Sequence, residues 1–466
     1  MAHRSCLGQL EEVRCELNQA EGLPFSEYLP REMILQALLE VGVVFRDRIY
    51  NPVVTLWMFL AQALDANKCC RQAVSRLATW RLARGLSPCS EDTCSYCQAR
   101  MRLPLTVLMS LVRHTASRLE ETSEDAWRWH GRNIKVVDGT TVTMPDTQSN
   151  AAAFPKRRLE GREVGFPIAR VVVTFSLAIG SVLEATITPT KGKKTGESTM
   201  LRQMADTFEA GDIVMADREF ESFHNVSLLQ RRGVDVVLRM NATRRCDFRR
   251  GRRLGKRDHV VIWKKPRFDS TRFDRQTYEG LPEMLEVREL EFTVTTAGFR
   301  TKRIRIVTTL LDPDVHTKEE IADLYRQRWQ AELNLNSLKT SLDMEHLRCK
   351  SPEMVEKEIW VHFLAYNVLR QIMADAAKKR GIAPRQISFS GAQQRFNANV
   401  HVMSTLAAAG HQASLAVLYQ QMLDSIARDT IGDRPDRIEP RKLKYRQGRY
   451  PYLKTDRNTE RKKLCA

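Results

Sequence analysis

The feature that most limits the fold of this chain is a series of β-branched segments in its middle. Two of them, residues 169–180 and 181–190, meet at a Gly-Ser pair, which predicts adjacent antiparallel strands. Similar segments occupy residues 133–147, 212–220 and 234–240, and a helical pattern separates the last two. The middle of the chain is therefore predicted to contain several strands, with helices between some of them.

Helical patterns precede and follow these strands. Apolar residues at a spacing of three and four predict helices in residues 31–45 and 71–85. Between residues 285 and 311 the sequence predicts a hairpin, in a region of strands without intervening helices. A helix returns at Thr317, which stands in capping-box register with Glu320.

The net charge indicates a polyanionic partner. The chain has 466 residues and a formal net charge of +18. Residues 239–267 contain 12 Lys and Arg against two acidic residues, and residues 434–466 contain 12 against four. These two segments hold the whole excess, and such concentrated charge favours nucleic acid as the partner. A solvated basic face that only keeps the chain in solution is the alternative.

The sequence does not predict secretion or insertion into a membrane. The longest apolar run, residues 52–64, is too short to cross a bilayer, and the N-terminus lacks a basic segment followed by an apolar signal core. Ten scattered cysteines are too few for a disulfide scaffold and indicate reduced thiols. We therefore expect a cytoplasmic protein without a membrane partner.

Three acidic residues are candidates for a metal site. Asp138 and Asp217 each end, or nearly end, a hydrophobic β-run, and Glu332 lies in a predicted helix. Strand ends hold side chains rigidly at one edge of a sheet, where carboxylates can converge. Mg²⁺ prefers oxygen ligands, and two ions about 4 Å apart can stabilise the attacking and leaving oxygens of a phosphoryl transfer. An aspartate that only caps a strand or opens a turn is an equally common interpretation of either Asp.

A regular set of polar residues surrounds Glu332. Tyr325, Arg328, Glu332 and Lys339 occur at offsets of 0, 3, 7 and 14. At about 100° per residue these offsets share a sector of about 60° on one helix. Beside that stripe runs a predicted core-facing band, formed by Leu324, Ala331, Leu335, Leu338 and Leu342. An exposed helix face with ordinary charges is the alternative.

The stripe resembles the Y-(2)-R-(3)-E-(6)-K signature of the DDE transposases of insertion-sequence family four, and it matches that signature without a gap. The aspartates in VVDGTTVTMPDT and DIVMADREF occur in the order that the family requires, before Glu332. The resemblance covers residues 133–339. It implies an α/β, ribonuclease-H-like catalytic core, with a β-rich insertion between the second Asp and the Glu.

The resemblance also implies an activity. The protein would bind the terminal inverted repeats of its insertion sequence and catalyse metal-dependent DNA cleavage and strand transfer. Asp138, Asp217 and Glu332 would hold two Mg²⁺ ions, with Mn²⁺ able to substitute. The residues that position the DNA end would be Tyr325, Arg328 and Lys339. The partners would be the double-stranded DNA of the element ends and the target, and a second copy of the chain in a homodimer synapsed on DNA at the nucleoid.

The same resemblance divides the chain into five regions. The helical N-terminal region would recognise the element ends, and the C-terminal region would support assembly. The expected boundaries are 1–130 for the helical DNA-binding region, 131–242 for the first part of the core, 243–316 for the β-rich basic insertion, 317–380 for the second part of the core with the Glu-bearing helix, and 381–466 for the helical C-terminal region with its basic tail.

Several interpretations remain open. Trp263, in the basic segment, either stacks on an extruded base near the cut or packs within a hairpin. Cys89, Cys94 and Cys97 offer three thiols without an adjacent fourth ligand, so reduced structural thiols are the alternative to a zinc site. The competing functions are a two-metal DNA nuclease that does not join strands and a transposase-derived DNA-binding protein without catalysis. An intact set of three carboxylates argues against the second.

Overall fold

The computed structural model describes residues 28–45, 48–159, 162–192, 195–269, 275–293, 303–431 and 457–464. The described helices are α1 (Arg31–Glu40), α2 (Pro52–Leu64), α3 (Cys70–Ala83), α4 (Cys94–Arg102), α5 (Leu105–Glu121), α6 (Gln148–Ala153), α7 (Glu197–Gln203), α8 (Phe223–Gln230), α9 (Arg275–Glu279), α10 (Lys318–Arg326), α11 (Trp329–Asn336), α12 (Pro352–Arg380), α13 (Phe389–Ala408), α14 (Gln412–Arg428) and α15 (Arg457–Leu464). The described strands are β1 (Ile134–Thr143), β2 (Arg157–Leu159), β3 (Arg162–Val164), β4 (Ile168–Ser176), β5 (Val182–Pro189), β6 (Ile213–Ala216), β7 (Asp235–Arg239), β8 (Arg252–Gly255), β9 (Asp258–Lys264), β10 (Met284–Thr293) and β11 (Arg303–Thr308).

One mixed sheet dominates the described part of the chain, with nine strands in the order β5-β4-β1-β6-β7-β11-β10-β9-β8. β4 pairs antiparallel with both β5 and β1, whereas β6 pairs parallel with both β1 and β7. The short strands β2 and β3 form a separate antiparallel pair. The predicted α/β fold and the predicted β4–β5 and β10–β11 hairpins are therefore confirmed.

The predicted β-rich insertion does not form a sheet of its own. Its strands continue the main sheet, because β11 pairs antiparallel with β7 through Ile306 opposite Arg239. This pairing provides hydrogen-bond partners for backbone N–H and C=O groups of β7, which would otherwise be unpaired at the edge of the sheet. The short helix α9 lies between β9 and β10, so the expectation of strands without intervening helices was wrong. The link between β10 and β11, residues 1–27 and most of the basic segment at 434–466 lie outside the described residues.

Two apolar clusters cover the two faces of the sheet. Val136 and Met215 belong to the cluster that includes α5 and α12, whereas Val137 and Ala216 belong to the cluster that includes α7 and α8. Successive residues of a strand point to opposite faces, so β1 and β6 each contribute to both clusters. Strands buried on both sides account for the continuous hydrophobic runs in their sequences.

The central helix α12 is anchored at both ends and along its length. Pro352 occupies its first turn, and Gly381 ends it in the left-handed conformation at φ 65°. The side chain of Asn367 donates to Val182 O and accepts from Val182 N, each at 2.8 Å, which fixes the helix to β5. Neither α12 nor any other helix in the described part of the chain is long and apolar enough to cross a membrane.

A buried ion pair joins β9 to β10. The Nε and Nη2 atoms of Arg288 donate to the two carboxylate oxygens of Asp258 at 2.8 and 2.6 Å, and Nη1 donates to His316 O at 2.7 Å. The two side chains are 0% and 4% exposed. Changing Arg288 to Ala leaves a buried carboxylate without its cation, so the free energy of unfolding should fall by about 3–5 kcal/mol in urea denaturation.

Arg275→Ala is the matched control for this variant. Arg275 pairs with Glu279, and their side chains are 81% and 66% exposed. Because solvent screens such a pair, its loss should barely change the free energy of unfolding. Similar losses in the two variants would show that the Arg288 pair has no special role in stability.

Candidate active site

Two aspartates lie at the same edge of the central pair of parallel strands. Val137 of β1 is opposite Ala216 of β6, so the next residues, Asp138 and Asp217, follow side by side. Neighbouring strands are about 4.8 Å apart, which brings the two carboxyl groups into one region. β6 ends at Ala216, so Asp217 begins the loop beyond the strand. The predicted strand end is confirmed for Asp217, whereas Asp138 is the fifth of the ten residues of β1, so its predicted place at a strand end was wrong.

The alternation of the strands directs both aspartates toward α11 and α12. Asp138 and Asp217 lie two residues beyond Val136 and Met215, which pack in the α12-side cluster. A period of two therefore places the aspartates on that face of the sheet. α11 contacts β1 on the same side and carries Glu332. The fold thus brings the three predicted carboxylates together.

An arginine on α12 holds α11 in place. Nη2 of Arg370 donates to Asn334 Oδ1 at 2.6 Å, and Nε donates to the hydroxyl of Tyr366 at 2.8 Å. Gly180 makes room for this arginine, because a Cβ at that position would lie 2.9 Å from Arg370 Cζ. Its φ of +85° also favours glycine. Asn334 is two residues from Glu332, so this contact fixes the helical turn that presents the third carboxylate.

The predicted helix through Tyr325 and Lys339 is interrupted. α10 ends at Arg326 and α11 starts at Trp329. Between and just after these bounds, each backbone N–H donates to the carbonyl three residues earlier, as in a 3₁₀ turn. The donors are Gln327, Arg328, Gln330 and Ala331. A π-helical turn, Ser337–Ser341, follows α11. The assumption of a uniform 100° per residue was therefore wrong here, although the predicted core-facing band is buried as expected.

Arg328 lies between two of the carboxylates. Its Nη2 donates to Glu332 Oε1 at 2.6 Å, and its Nη1 is 3.5 Å from Asp138 Oδ2. Burial raises the pKa of Asp138 to about 6, against the opposing effects of Arg328 and of the Gly139 N–H. The charges of Asp217 and Glu332 add to the rise. A guanidinium thus supplies the positive charge that this group of carboxylates requires.

The carboxylates open onto a cavity of about 360 Å³. Asp138, Asp217, Glu332, Arg328 and Lys339 all line it. Lys339 Nζ lies 3.4 Å from the carboxylate of Glu345, a further lining residue. Among the described residues, the oxygens of the three predicted metal ligands do not all approach within 4.8 Å of one another. In this arrangement the three carboxylates therefore do not share a single ion, and Arg328 lies between two of them.

A fourth carboxylate, which the sequence analysis did not single out, lies near Asp217 on the α7 face of the sheet. Glu197 is the first residue of α7, and its Cδ would lie 2.8 Å from a Cβ placed on Gly139. Burial raises the pKa of Glu197; Arg170 opposes the rise and Asp217 adds to it. The sequence pattern predicts only that a helix begins at Glu197. Its proximity to Gly139 and Asp217 depends on how α7 packs on the sheet.

Comparison with known proteins agrees with this geometry. The family described as Transposase DDE domain matches residues 129–368, just over half of the chain. This chain belongs to the DDE transposase family. The transposase is 27% identical over 432 residues to the transposase InsG for insertion sequence element IS4 of Escherichia coli K12, covering 91% of this chain and 92% of that protein. A shorter match, 37% over 68 residues, covers 15% of this chain and 18% of the putative transposase InsL for IS186A of the same strain.

Among solved structures, the transposase is similar to the piggyBac transposase in a synaptic complex with hairpin DNA, with a TM-score of 0.44 and 8% sequence identity. That alignment covers 88% of this chain and 85% of the other. The resemblance to insertion-sequence family four is confirmed. The chain is a DNA transposase, an enzyme that cleaves DNA and transfers the cut strand.

Two predicted DNA-binding aromatic residues lie inside the fold. Tyr325 is 5% exposed and Trp263 is 6% exposed. The Nε1 atom of Trp263 donates to Glu289 Oε1 at 2.7 Å, and the guanidinium carbon of Arg244 lies 3.7 Å from its ring centre. As placed, neither ring can stack on a base. The packed interpretation of Trp263 therefore replaces base stacking, because its apolar surface and its N–H group are both satisfied within the protein.

The predicted zinc alternative at the N-terminal cysteines is not supported. Cys89 is buried, Cys94 is exposed, and Cys97 is half-buried with its sulfur 3.9 Å from that of Cys70. These thiols do not belong to any group in the described residues whose ligand atoms are close enough to share a metal ion. Reduced structural thiols, the alternative interpretation, fit this arrangement.

The raised pKa of Asp138 predicts a stability effect with a definite pH dependence. Its pKa is 3.8 ordinarily and about 6 in the folded chain, so ionisation there costs the fold about 3 kcal/mol above about pH 6. This cost disappears below about pH 4, because the carboxyl is then protonated in both states. Asp138→Asn stays neutral, so in EDTA it should raise the free energy of unfolding by up to about 3 kcal/mol near pH 7.5 and little near pH 4.

Urea denaturation at the two pH values measures this effect. Asp314→Asn is the control, because Asp314 is exposed and far from the cavity lining. A gain for Asp138→Asn that is equal at both pH values, or a loss near pH 7.5, would show that the buried charge does not destabilise the fold.

Proposed function

We propose that this transposase binds the terminal inverted repeats of its insertion sequence and moves the element by metal-dependent cleavage and strand transfer. The observation that carries the proposal is the convergence of Asp138, Asp217 and Glu332 on one cavity, with Arg328 between two of them. Carboxylate oxygens fit Mg²⁺, for which Mn²⁺ can substitute. Two such ions, when bound, would supply the positive charge that activates the attacking oxygen and stabilises the leaving oxygen.

The residues around the carboxylates have separate tasks in this proposal. Arg328 balances the carboxylates and can exchange one of them for a DNA phosphate, since a guanidinium binds either anion with two donors. Lys339, on the cavity wall, contacts a phosphate beside the scissile bond. Burial raises the pKa of Tyr325 to about 12, so its phenol stays neutral and supports Arg328 from within the core.

The larger assembly belongs to the same proposal. The strand order β5-β4-β1-β6-β7, with antiparallel pairs on one side of β1 and parallel pairs on the other, supports a ribonuclease-H-like core. The chain would act as a homodimer on the element ends and target DNA, in the cytoplasm at the nucleoid. Residues 1–130 would recognise the repeats and residues 381–466 would support assembly. These assignments rest on the family to which the chain belongs.

The central test changes each acidic residue separately. Asp138→Ala, Asp217→Ala and Glu332→Ala should each abolish Mg²⁺-dependent cleavage of an element end, because each removes a metal ligand that acts in the transition state. Binding of the same DNA in a gel-shift assay should persist. Substantial cleavage by one variant would remove that residue from the site. Cleavage without joined products in the unchanged protein would identify the nuclease alternative.

A second test concerns Lys339. A charge-assisted bond to a phosphate is worth roughly 1.5–3 kcal/mol, so Lys339→Ala should slow cleavage of the element end by about tenfold or more. Mg²⁺ or Mn²⁺ affinity should stay near that of the unchanged protein. Lys379→Ala is the control, because Lys379 pairs with Asp424 outside the cavity. If metal affinity falls as far in Lys339→Ala as in Glu332→Ala, Lys339 supports the metal site and not the DNA.

The basic segment should determine the salt dependence of binding. Arg252 and Arg253 are exposed on β8, at the edge of the sheet. Each neutralised phosphate contributes about −0.9 to the slope of log K against log salt, so changing both arginines to Ser should flatten that slope by up to about 1.8. The control removes two exposed cations elsewhere, Lys378 and Lys379. Equal slopes for the unchanged protein and the Arg252/Arg253 variant would place β8 away from DNA.

A further inference from the structure

The side chains of a cysteine, a histidine and a glutamate lie close together in and beside the basic segment, away from the catalytic cavity. They belong to Cys246, to His259 of β9 and to Glu289 of β10, and their ligand atoms all lie within 4.8 Å of one another. None of these residues lines the cavity of the DDE carboxylates. We propose that they bind a Zn²⁺ ion, with water as its fourth ligand, and that this ion fixes residues 244–253 to the sheet.

The distances between the ligand atoms suit one tetrahedral ion. Cys246 Sγ is 3.9 Å from His259 Nε2, and that nitrogen is 3.2 Å from Glu289 Oε2. Zinc bonds of about 2.3 Å to sulfur and about 2.0 Å to nitrogen or oxygen require separations of roughly 3.3–3.6 Å between tetrahedral ligands. Shifts of a few tenths of an ångström would therefore complete the coordination. His259 and Glu289 are directly opposite each other across the strands, which fixes two of the three ligands.

The hydrogen bonds around the group orient its ligand atoms toward a common centre. His259 Nδ1 is 2.7 Å from the carbonyl oxygen of Arg250, so Nδ1 carries the proton and Nε2 faces the cluster. Trp263 Nε1 donates to Glu289 Oε1, which leaves Oε2 directed at His259. Histidine ligands that donate their other nitrogen to a carbonyl, and carboxylates held by a second donor, are typical of metal sites.

Burial disfavours an uncompensated charge on Glu289. His259 is 1% exposed and Glu289 is 4% exposed, so an ionised glutamate there must be compensated. With Nδ1 bonded to a carbonyl, a neutral His259 offers Glu289 only a lone pair, which would repel the carboxylate. The pair therefore needs either a proton between Nε2 and Oε2 or a cation between the two groups. The sulfur of Cys246, 3.9 Å from Nε2, adds a third ligand atom of a kind that binds zinc, which favours the cation.

The mixture of ligands selects the ion. Thiolate and imidazole favour zinc over magnesium, whereas the oxygen-only group in the catalytic cavity has the opposite preference. Cys246 is half-buried, so a water molecule can reach the fourth position. The two sites would therefore not compete for the same metal.

The position of the site explains what the ion would do. Residues 244–253 contain six arginines, and Cys246 lies among them. Arg249 and Arg250 have side chains that are 90% and 84% exposed. The ion would link this segment to two neighbouring strands, so that repulsion between its arginines does not displace it from the sheet. The inference needs only the local geometry and does not depend on the proposed DNA contacts.

The first test measures zinc in the full chain, purified without a metal-affinity step. Inductively coupled plasma mass spectrometry should find about one zinc ion per chain. Cys246→Ser and His259→Gln should each lose most of this zinc. Cys97→Ser is the matched control and should retain it. Zinc that persists in Cys246→Ser but is lost in Cys97→Ser would place the ion at the N-terminal cysteines and overturn the proposal.

A second measurement uses the unchanged chain, so that it does not depend on the folding of a variant. After removal of zinc by a chelator, Co²⁺ should produce a thiolate-to-cobalt charge-transfer band, which an oxygen-only site cannot give. Limited digestion with trypsin should cut within residues 244–253 several-fold faster in the metal-free chain than after zinc is restored. Absence of both zinc and the cobalt band would identify the cluster as a hydrogen-bonded group without a metal, and the proposal would then be wrong.

Discussion

The parallel pairing of β1 with β6 is the constraint on which the rest of the site depends. It sets Val137 opposite Ala216, and with that register the following aspartates share one edge and one face of the sheet. A slip of one residue would turn Asp138 or Asp217 to the opposite face, against the cluster that includes α7 and α8. Because both strands are buried on both faces, their hydrophobic side chains would resist such a slip. Catalytic geometry and core packing are therefore specified by the same residues.

Once the carboxylates converge, their mutual repulsion becomes the main electrostatic problem of the fold. Burial already disfavours the charge of Asp138, and Asp217 and Glu332 add to this effect. The guanidinium of Arg328 reduces this repulsion, because it contacts the carboxylates of Asp138 on β1 and Glu332 on α11. Cations bound by the carboxylates would take over that role, and Arg328 would then have donors available for a phosphate. The repulsion between the acidic groups is thus reduced by Arg328, which belongs to the same Y-(2)-R-(3)-E-(6)-K signature as Glu332.

The sequence predicted what local patterns determine and missed what distant contacts determine. The β-branched runs located Asp138 on β1 and Asp217 directly after β6, and the capping box of Thr317 marked the start of α10 correctly. The tightened turn before α11 was not predictable from periodicity, because it depends on burying Tyr325 while Arg328 faces the carboxylates. Residues far apart in the chain, such as Glu197 beside Gly139 or Cys246 beside Glu289, leave no spacing signal. Only the packing of the sheet brings them together.

The continuous sheet sets the distance between the basic strand β8 and the carboxylates next to β1 and β6. β8 is six strands from β1 in the sheet, which at about 4.8 Å per strand separates them by roughly 29 Å. A cation on β8 is therefore several Debye lengths from the carboxylates at physiological salt, where that length is about 8 Å. It cannot stabilise charge that develops at the reacting phosphate. Along a duplex with a rise of about 3.4 Å per base pair, the same separation corresponds to about eight or nine base pairs. Under the proposed function, the cations of β8 would contact DNA nearly one helical turn from the cut.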